Sequence, residues 1–200
     1  MGCGRLTSLS VSGHEVVGWD DRRVMLVVAG LVGEAWSVIE PNLAGLTDAE
    51  YFWEPMPGCW GVRRRGDIRS SGCWGRGEWA VETSLDGSTA PSTTTIGWRL
   101  MHAYDCTNDF TSRAFGEGGR DWNTIEVPGT ASGAVELMTD AVRGLQNRLA
   151  SATDDVLVAA VDDDFHKPRW LLLDKALLEA IHHCAEVGVL RSVFHATHNA

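Results

Sequence analysis

The sequence lacks any apolar run of about 18 residues, the length that a membrane-spanning helix needs. Its first residues also lack the charged and then apolar pattern of a secretory signal peptide. We therefore expect a cytoplasmic protein that does not associate with membranes. With 200 residues, 44% of them hydrophobic, the chain is long enough for one compact domain with its own core.

Basic residues are in the minority: Lys and Arg number 17 against 27 Asp and Glu, and the formal net charge is −10. A nucleic-acid-binding surface needs clustered cations to neutralise phosphates, so this composition excludes nucleic acid as the expected partner. The five cysteines show no Cys-x-x-Cys spacing. An odd number of cysteines without this spacing indicates a reducing compartment rather than a disulfide framework or a zinc ribbon.

Alternation of apolar and polar residues at a period of two is also nearly absent, whereas helical periodicity recurs in four segments. The first covers residues 24–39, the second begins at "STTTIGW" and ends at "GEGG", the third spans 135–149, and the fourth spans 168–194. This pattern predicts an all-α fold, an antiparallel four-helix bundle. We assign residues 19–200 to this single domain and residues 1–18 to a flexible N-terminal tail.

The first and second bundle helices are separated by a long segment rich in Gly, Trp, Arg and Ser, from Pro55 to Pro91. A capping box, Thr47 to Glu50, predicts a short helix just before it. We expect the segment itself to be a long irregular loop, which in a compact domain is more often functional than idle. Four tryptophans within or just before this segment could line the mouth of a pocket: Trp53, Trp60, Trp74 and Trp79.

Polar residues near the end of the fourth helix are the candidate site. His182 and Glu186 are four residues apart, so they project from one helical face and could bind one ion. His183 and Glu186, three apart, form a second pair, and the spacing does not choose between the two histidines. A buried carboxylate needs a cation or strong hydrogen-bond donors nearby.

An apolar stripe of Leu178, His182, Glu186, Val189 and Val193 predicts that His182 and Glu186 face the bundle interior. The second helix offers His102 as a third ligand, on a face that also carries Trp98, Asp105 and Cys106. The alternative hypothesis is that the histidines are satisfied core residues and that Glu186 pairs with an Arg or Lys. Two helices offering inward ligands in a predicted bundle favour the metal site.

Three motifs together resemble the DinB-like (damage-inducible B) superfamily of four-helix-bundle metalloenzymes: "LAGLTDAEYFWEPMPGCWGV", "TTTIGWRLMHAYD" and "AIHHCAEVGVLRSVF". The resemblance runs from about residue 22 to 194. It implies metal ligands at His102 and His182, with Glu186 where the family commonly has a third histidine and Gly188 matching the glycine that follows. Two histidines and one carboxylate suit zinc, our first expectation, and also nickel or iron(II).

The resemblance further implies a metal-dependent thiol S-transferase, since members with assigned roles include transferases and isomerases that use mycothiol or bacillithiol. The expected partner is then a small-molecule substrate, together with mycothiol or a similar low-molecular-weight thiol. Asp105, one turn after His102, could orient a ligand or act as a catalytic base.

A second hypothesis keeps the same bundle without catalysis, as a stress-response or partner-binding protein with a structural ion or no ion. Full coordination by protein atoms would favour it, because catalytic ions keep an open position. Exposed apolar and Trp-rich edges of the bundle would also allow a homodimer.

Overall fold

The computed structural model describes residues 23–87, 91, 93–161 and 168–198. Its helices, in chain order, are α1 (Arg23–Leu43), α2 (Asp48–Phe52), α3 (Ile96–Ala114), α4 (Ala131–Ser151), α5 (Asp154–Val158) and α6 (Arg169–His198). The four long helices α1, α3, α4 and α6 pack into a bundle, and α2 and α5 lie against it. The four helical segments predicted from periodicity are therefore confirmed.

Local hydrogen bonds explain where these helices begin. The Thr95 side chain accepts from the backbone N–H of Trp98 at the start of α3, and Thr130 does the same for Gly133 at the start of α4. Such caps satisfy backbone donors that the first helical turn cannot pair. The predicted capping box is also present, because Thr47 and Glu50 exchange side-chain and backbone hydrogen bonds at α2.

The helix directions differ from a simple antiparallel bundle. Arg148, near the end of α4, donates to Glu117, just after the end of α3, at 2.8 Å, so these neighbouring helices run in the same direction. Arg99, near the start of α3, pairs with Glu186 in the second half of α6, so α3 and α6 run in opposite directions. The antiparallel prediction is therefore corrected to a mixed arrangement. Residues 115–130 form a crossover that returns along the bundle.

The end of α6 lies beside the end of α1. Arg191 donates to the backbone carbonyls of Asn42 and Ala44, both at 2.9 Å, and to the buried carboxylate of Glu50 at 2.8 Å. Gly188 meets the same turn of α1, where an added Cβ would lie 2.5 Å from the Asn42 side chain. The α1–α2 corner is therefore fixed on the last turns of α6, with α1 and α6 parallel.

The segment predicted to be an irregular loop carries a three-stranded antiparallel sheet, which corrects that prediction. Its strands are β1 (Val62–Arg64), β2 (Gly72–Trp74) and β3 (Trp79–Thr83), in the order β1-β3-β2. Val81 of β3 pairs with Val62 on one side and Trp74 on the other. Strands of three to five residues are too short for a period of two to become visible in the sequence.

A buried carboxylate holds this insertion together. Glu82 on β3 is 1% exposed and accepts hydrogen bonds from the backbone N–H groups of Gly61, Arg69 and Ser70. The Arg63 guanidinium donates to the same carboxylate at 2.7 Å. These donors lie at both outer strands, at β1 and just before β2. One side chain therefore holds together the segments on either side of β3.

The predicted N-terminal tail, residues 1–18, lies outside the described residues and remains a prediction. Within the described ranges, no helix combines the length and the apolar character that crossing a membrane requires.

Candidate metal centre

The packing of α3 against α6 brings a group of polar side chains together. His102 and Cys106, one turn apart on α3, face Glu179 and His183, one turn apart on α6. The imidazole rings of His102 and His183 meet edge to face, with centroids 4.8 Å apart. We call these four residues the α3–α6 cluster.

The inward face of α6 is not the predicted stripe. Leu178 and Val189 are 61% and 63% exposed, so the prediction that this stripe faces the interior was wrong. The buried positions of α6 are instead Leu172, Leu173, Ala176, Leu177, Ala180, His183, Cys184 and Val187. Apolar residues follow both lines along the helix, and spacing alone cannot tell which line a neighbouring helix covers. His183, rather than His182, belongs to the covered face.

Glu179 is the residue that joins the two helices in this cluster. Its Oε2 atom lies 3.8 Å from Nε2 of His102 and 3.3 Å from Nε2 of His183. Cys106 approaches from α3, with its Sγ 3.6 Å from Nε2 of His102. Two sets of three side chains bring one donor atom each to within 4.8 Å of one another: His102, Cys106 and Glu179, and Glu179, His182 and His183.

Burial keeps the histidines of this cluster neutral. Burial, together with the neighbouring His183 and against the opposing pull of Glu179, lowers the pKa of His102 to about 4. Burial also lowers the pKa of His183, although contact with Glu186 counteracts this effect. Burial and the charge of Glu179 raise the pKa of the Cys106 thiol to about 12. At neutral pH the cluster therefore offers two uncharged imidazoles and a protonated thiol beside a carboxylate.

Glu186 closes one side of the cluster. Its Oε2 atom lies 3.0 Å from Nδ1 of His183 and also pairs with the guanidinium of Arg99. Its other oxygen is 3.5 Å from Nε2 of His182. The pairing of Glu186 with an arginine is the arrangement that the alternative hypothesis predicted.

Trp98 forms the wall of the cluster towards the inserted sheet. Its indole stacks on the His102 ring with centroids 4.9 Å apart, and its Nε1 donates to the backbone carbonyl of Glu82 at 2.8 Å. Trp60 packs against Trp98 at 6.4 Å. Of the four tryptophans predicted to line a pocket mouth, Trp60 is therefore the one that this contact connects to the cluster.

The predicted ligands occupy different positions around the cluster. His102 lies within it, whereas the His182 side chain is 60% exposed and stacks on the outer side of His183 at 4.6 Å. Glu186 contacts both His182 and His183. Glu179 was not among the ligands predicted from the sequence, although Glu179 and His183 have the same four-residue spacing as His182 and Glu186.

Asp105, the predicted catalytic residue, is 6% exposed, and its Oδ1 has no hydrogen-bond partner in the described structure. Burial, together with the charge of Asp109, raises the pKa of its carboxyl to about 7. The charged groups that act on it are Asp109 and Arg120, which follow it along α3 and the crossover. Its catalytic role remains a prediction.

Comparison with known proteins agrees with this architecture. No curated protein and no solved structure matches the chain. The sequence profile of the DinB superfamily matches residues 32–186, which run from α1 to the Glu186 turn of α6 and include every residue of the α3–α6 cluster. Because this match covers well over half of the chain, the protein belongs to the DinB superfamily.

Proposed function

We propose that the protein binds one divalent transition-metal ion between α3 and α6, held by His102, Glu179 and His183. The observation that carries this proposal is the approach of one carboxylate oxygen to two imidazole Nε2 atoms, at 3.8 and 3.3 Å. Ligand atoms about 2.1 Å from a tetrahedral zinc ion stand about 3.4 Å from one another. The Glu179 oxygen therefore stands from each imidazole nitrogen at about the distance that separates two ligands of one ion.

The charges of the cluster support a cation at this position. Glu186 lies at Nδ1 of His183 and Glu179 lies at Nε2 of the same ring. A neutral imidazole has only one N–H, so it can donate to only one of these two carboxylates. If Nδ1–H donates to Glu186, the lone pair of Nε2 faces the Glu179 carboxylate, and a cation between them would relieve the repulsion.

Glu186 acts in this proposal as the residue that orients His183. A carboxylate that accepts from the far nitrogen of a ligating histidine fixes the ring and its tautomer. Arg99 holds that carboxylate in place through its ion pair. The set predicted from the sequence, His102, His182 and Glu186, is the competing assignment, because His182 and Glu186 are also in contact.

The activity that we propose is a metal-dependent thiol S-transfer reaction. A bound divalent ion would lower the pKa of a thiol or water that contacts it, so that the nucleophile forms near neutral pH. Among this chain's residues, Trp98 shields the cluster and Glu186 orients His183. Asp105, with its raised pKa, could accept a proton near neutral pH. Mycothiol or a similar thiol is the proposed co-substrate, and zinc, nickel or iron(II) the proposed ion.

A non-catalytic bundle is the second candidate, and one observation favours it. Cys106 stands beside His102 and Glu179 and could add a fourth protein donor to the proposed set, and structural zinc sites take four. In that case the ion would stabilise the bundle, and metal removal would mainly lower the melting temperature. The homodimer allowed by the sequence is compatible with either candidate.

Elemental analysis of a tag-free preparation tests the site. We expect about one equivalent of transition metal in the parent protein. His102→Ala, Glu179→Ala and His183→Ala should each lose the metal, whereas His182→Ala should keep it because that side chain is exposed. Loss of metal in His182→Ala and Glu186→Ala, with retention in Glu179→Ala and His183→Ala, would instead support the assignment predicted from the sequence.

The catalytic proposal needs a separate assay. A low-molecular-weight thiol and chlorodinitrobenzene would be mixed with the metal-loaded protein, and the thiol sulfur should displace chloride from the ring. We expect turnover that disappears on chelation and returns with the metal. Adduct formation at the same rate in a verified metal-free sample would refute metal-dependent transfer, and metal binding without turnover would favour the structural ion.

A further inference from the structure

Cys106 has a position in the α3–α6 cluster that differs from that of the other described cysteines. It follows His102 by one turn of α3, and its Sγ lies 3.6 Å from Nε2 of that histidine. Its sulfur and donor atoms of His102 and Glu179 all lie within 4.8 Å of one another. Cys184 is fully buried in the core, Cys59 is buried just before β1, and Cys73 lies on β2 of the inserted sheet. Cys106 is therefore the described thiol that the fold brings to the cluster.

We propose that Cys106 supplies a thiolate ligand to the ion of the α3–α6 cluster and thereby occupies the coordination position that a substrate thiol would need. This inference rests on the metal site proposed above and concerns how access to that site is regulated. On binding, Cys106 gives its proton to the solvent and its sulfur donates an electron pair to the ion. Thiolates are ligands of high affinity for zinc and cobalt, so the geometry and the chemistry agree.

The consequence for function is competition between an internal and an external thiol. With Cys106 bound, four side chains of the chain surround the ion, and this closed set is typical of a structural site. A low-molecular-weight thiol would have to displace Cys106 before it could be activated. Removal of the Cys106 sulfur should therefore open the site to external thiols.

Cobalt(II) loading of the full chain tests this proposal with a readout that does not depend on activity. Cobalt(II) bound at a low coordination number gives visible d–d bands, and a thiolate ligand adds a charge-transfer band in the near ultraviolet. We expect both bands in the parent protein. Cys106→Ser is nearly isosteric and should keep the d–d bands while losing the charge-transfer band. Cys73→Ser, the matched control on β2, should keep both.

The same experiment separates the failure of this inference from the failure of the metal site. Visible bands with no charge-transfer band in the parent, or a charge-transfer band that persists in Cys106→Ser, would overturn the role of Cys106 and leave the metal site standing. Absence of all cobalt bands from the folded parent would overturn both. Far-ultraviolet circular dichroism of each variant verifies that the helices are intact.

Competition with an external thiol is tested in Cys106→Ala, which leaves space beside the ion. Adding 2-mercaptoethanol to the cobalt-loaded variant should restore the charge-transfer band, because the added sulfur takes the vacated position. A variant that binds cobalt but shows no such band at saturating 2-mercaptoethanol would overturn the claim that Cys106 occupies the position of a substrate thiol.

Discussion

Replacing Glu50 by Gln should destabilise the fold strongly, because this carboxylate is completely buried and joins three parts of the chain. Its Oε1 accepts from Arg191 of α6 at 2.8 Å and lies 3.0 Å from Nε2 of His195. Its Oε2 accepts from the backbone N–H and the hydroxyl of Thr47, both at 2.8 Å. The substitution keeps the shape of the side chain but leaves the Arg191 guanidinium without its anion.

Two arguments give the same magnitude for this loss. Burial by itself raises the pKa of Glu50, but hydrogen bonds from Arg191 and Thr47 outweigh it and lower the value from 4.5 to about 2. That lowering corresponds to about 3 kcal/mol of folding free energy at neutral pH. Removing one partner of a buried ion pair typically costs about 3–5 kcal/mol. For a chain of this length, a loss of about 3 kcal/mol lowers the melting temperature by about 6–12 °C.

The pH dependence identifies the charge as the cause. Because the folded-state pKa lies below the unfolded value, the stabilisation by Glu50 is fully present above about pH 5 and is lost as the pH falls towards 2. The difference in unfolding free energy between the parent and Glu50→Gln should therefore decrease from about 3 kcal/mol at about pH 7 to about 1 kcal/mol at about pH 3. Urea titrations followed by circular dichroism measure this difference.

An exposed glutamate provides the control for this prediction. Glu136 on α4 is exposed, so Glu136→Gln should change the unfolding free energy by less than about 0.5 kcal/mol. The reasoning would be refuted if Glu50→Gln matched the parent at neutral pH. A destabilisation of unchanged size at low pH would show that packing, rather than the ion pair, is responsible.

Two further predictions concern tight packing and a buried acid. Gly97→Ala should destabilise the fold by about 1–3 kcal/mol, because the added Cβ would lie 3.0 Å from the backbone carbonyl oxygen of Tyr51. Gly144→Ala, which has open space around the new Cβ, should stabilise the fold by about 0.5–1 kcal/mol. Thermal unfolding compares the two variants. Asp105→Asn should raise the melting temperature more at alkaline than at acidic pH. Burial raises the pKa of this carboxyl to about 7, so the parent loses stability as the pH rises from about 4 to about 7, and the loss levels off above that. A melting temperature for Asp105→Asn that is equally displaced at both pH values would contradict this explanation.

The helices could be predicted from the sequence because their signals are local. Spacing of apolar residues defined four segments, and the hydroxyl groups of Thr47 and of the "STTTIGW" segment, where Thr95 is the cap, mark helix starts that the structure confirms. The sheet could not be predicted in this way. Its strands are short, and they depend on Glu82, whose hydrogen-bond partners lie 12 to 21 residues away along the chain. Contacts of that range leave no periodic pattern in a single sequence.

The helix directions depend on contacts of still longer range. Nothing in the composition of residues 115–130 indicates that they cross back along the bundle, because a crossover and a short loop contain similar turn residues. The ion pair between Glu117 and Arg148 exists only after α3 and α4 are aligned in parallel. Direction is thus a property of the assembled core, and the sequence pattern of each helix is compatible with either direction.

The candidate site shows how far the spacing of residues on one helix can lead. Along α6, Glu179 with His183 and His182 with Glu186 have the same four-residue spacing, so each pair could ligate an ion on its own evidence. Contacts from α3 distinguish the two pairs, because His102 and Cys106 lie beside Glu179, whereas Arg99 pairs with Glu186. An arginine beside a carboxylate supplies the positive charge that an ion would otherwise provide, and this makes Glu186 the weaker candidate ligand. The ligand assignment proposed above therefore depends on α3, and variants of the α3 residues Arg99 and Cys106 probe it as directly as variants of the histidines.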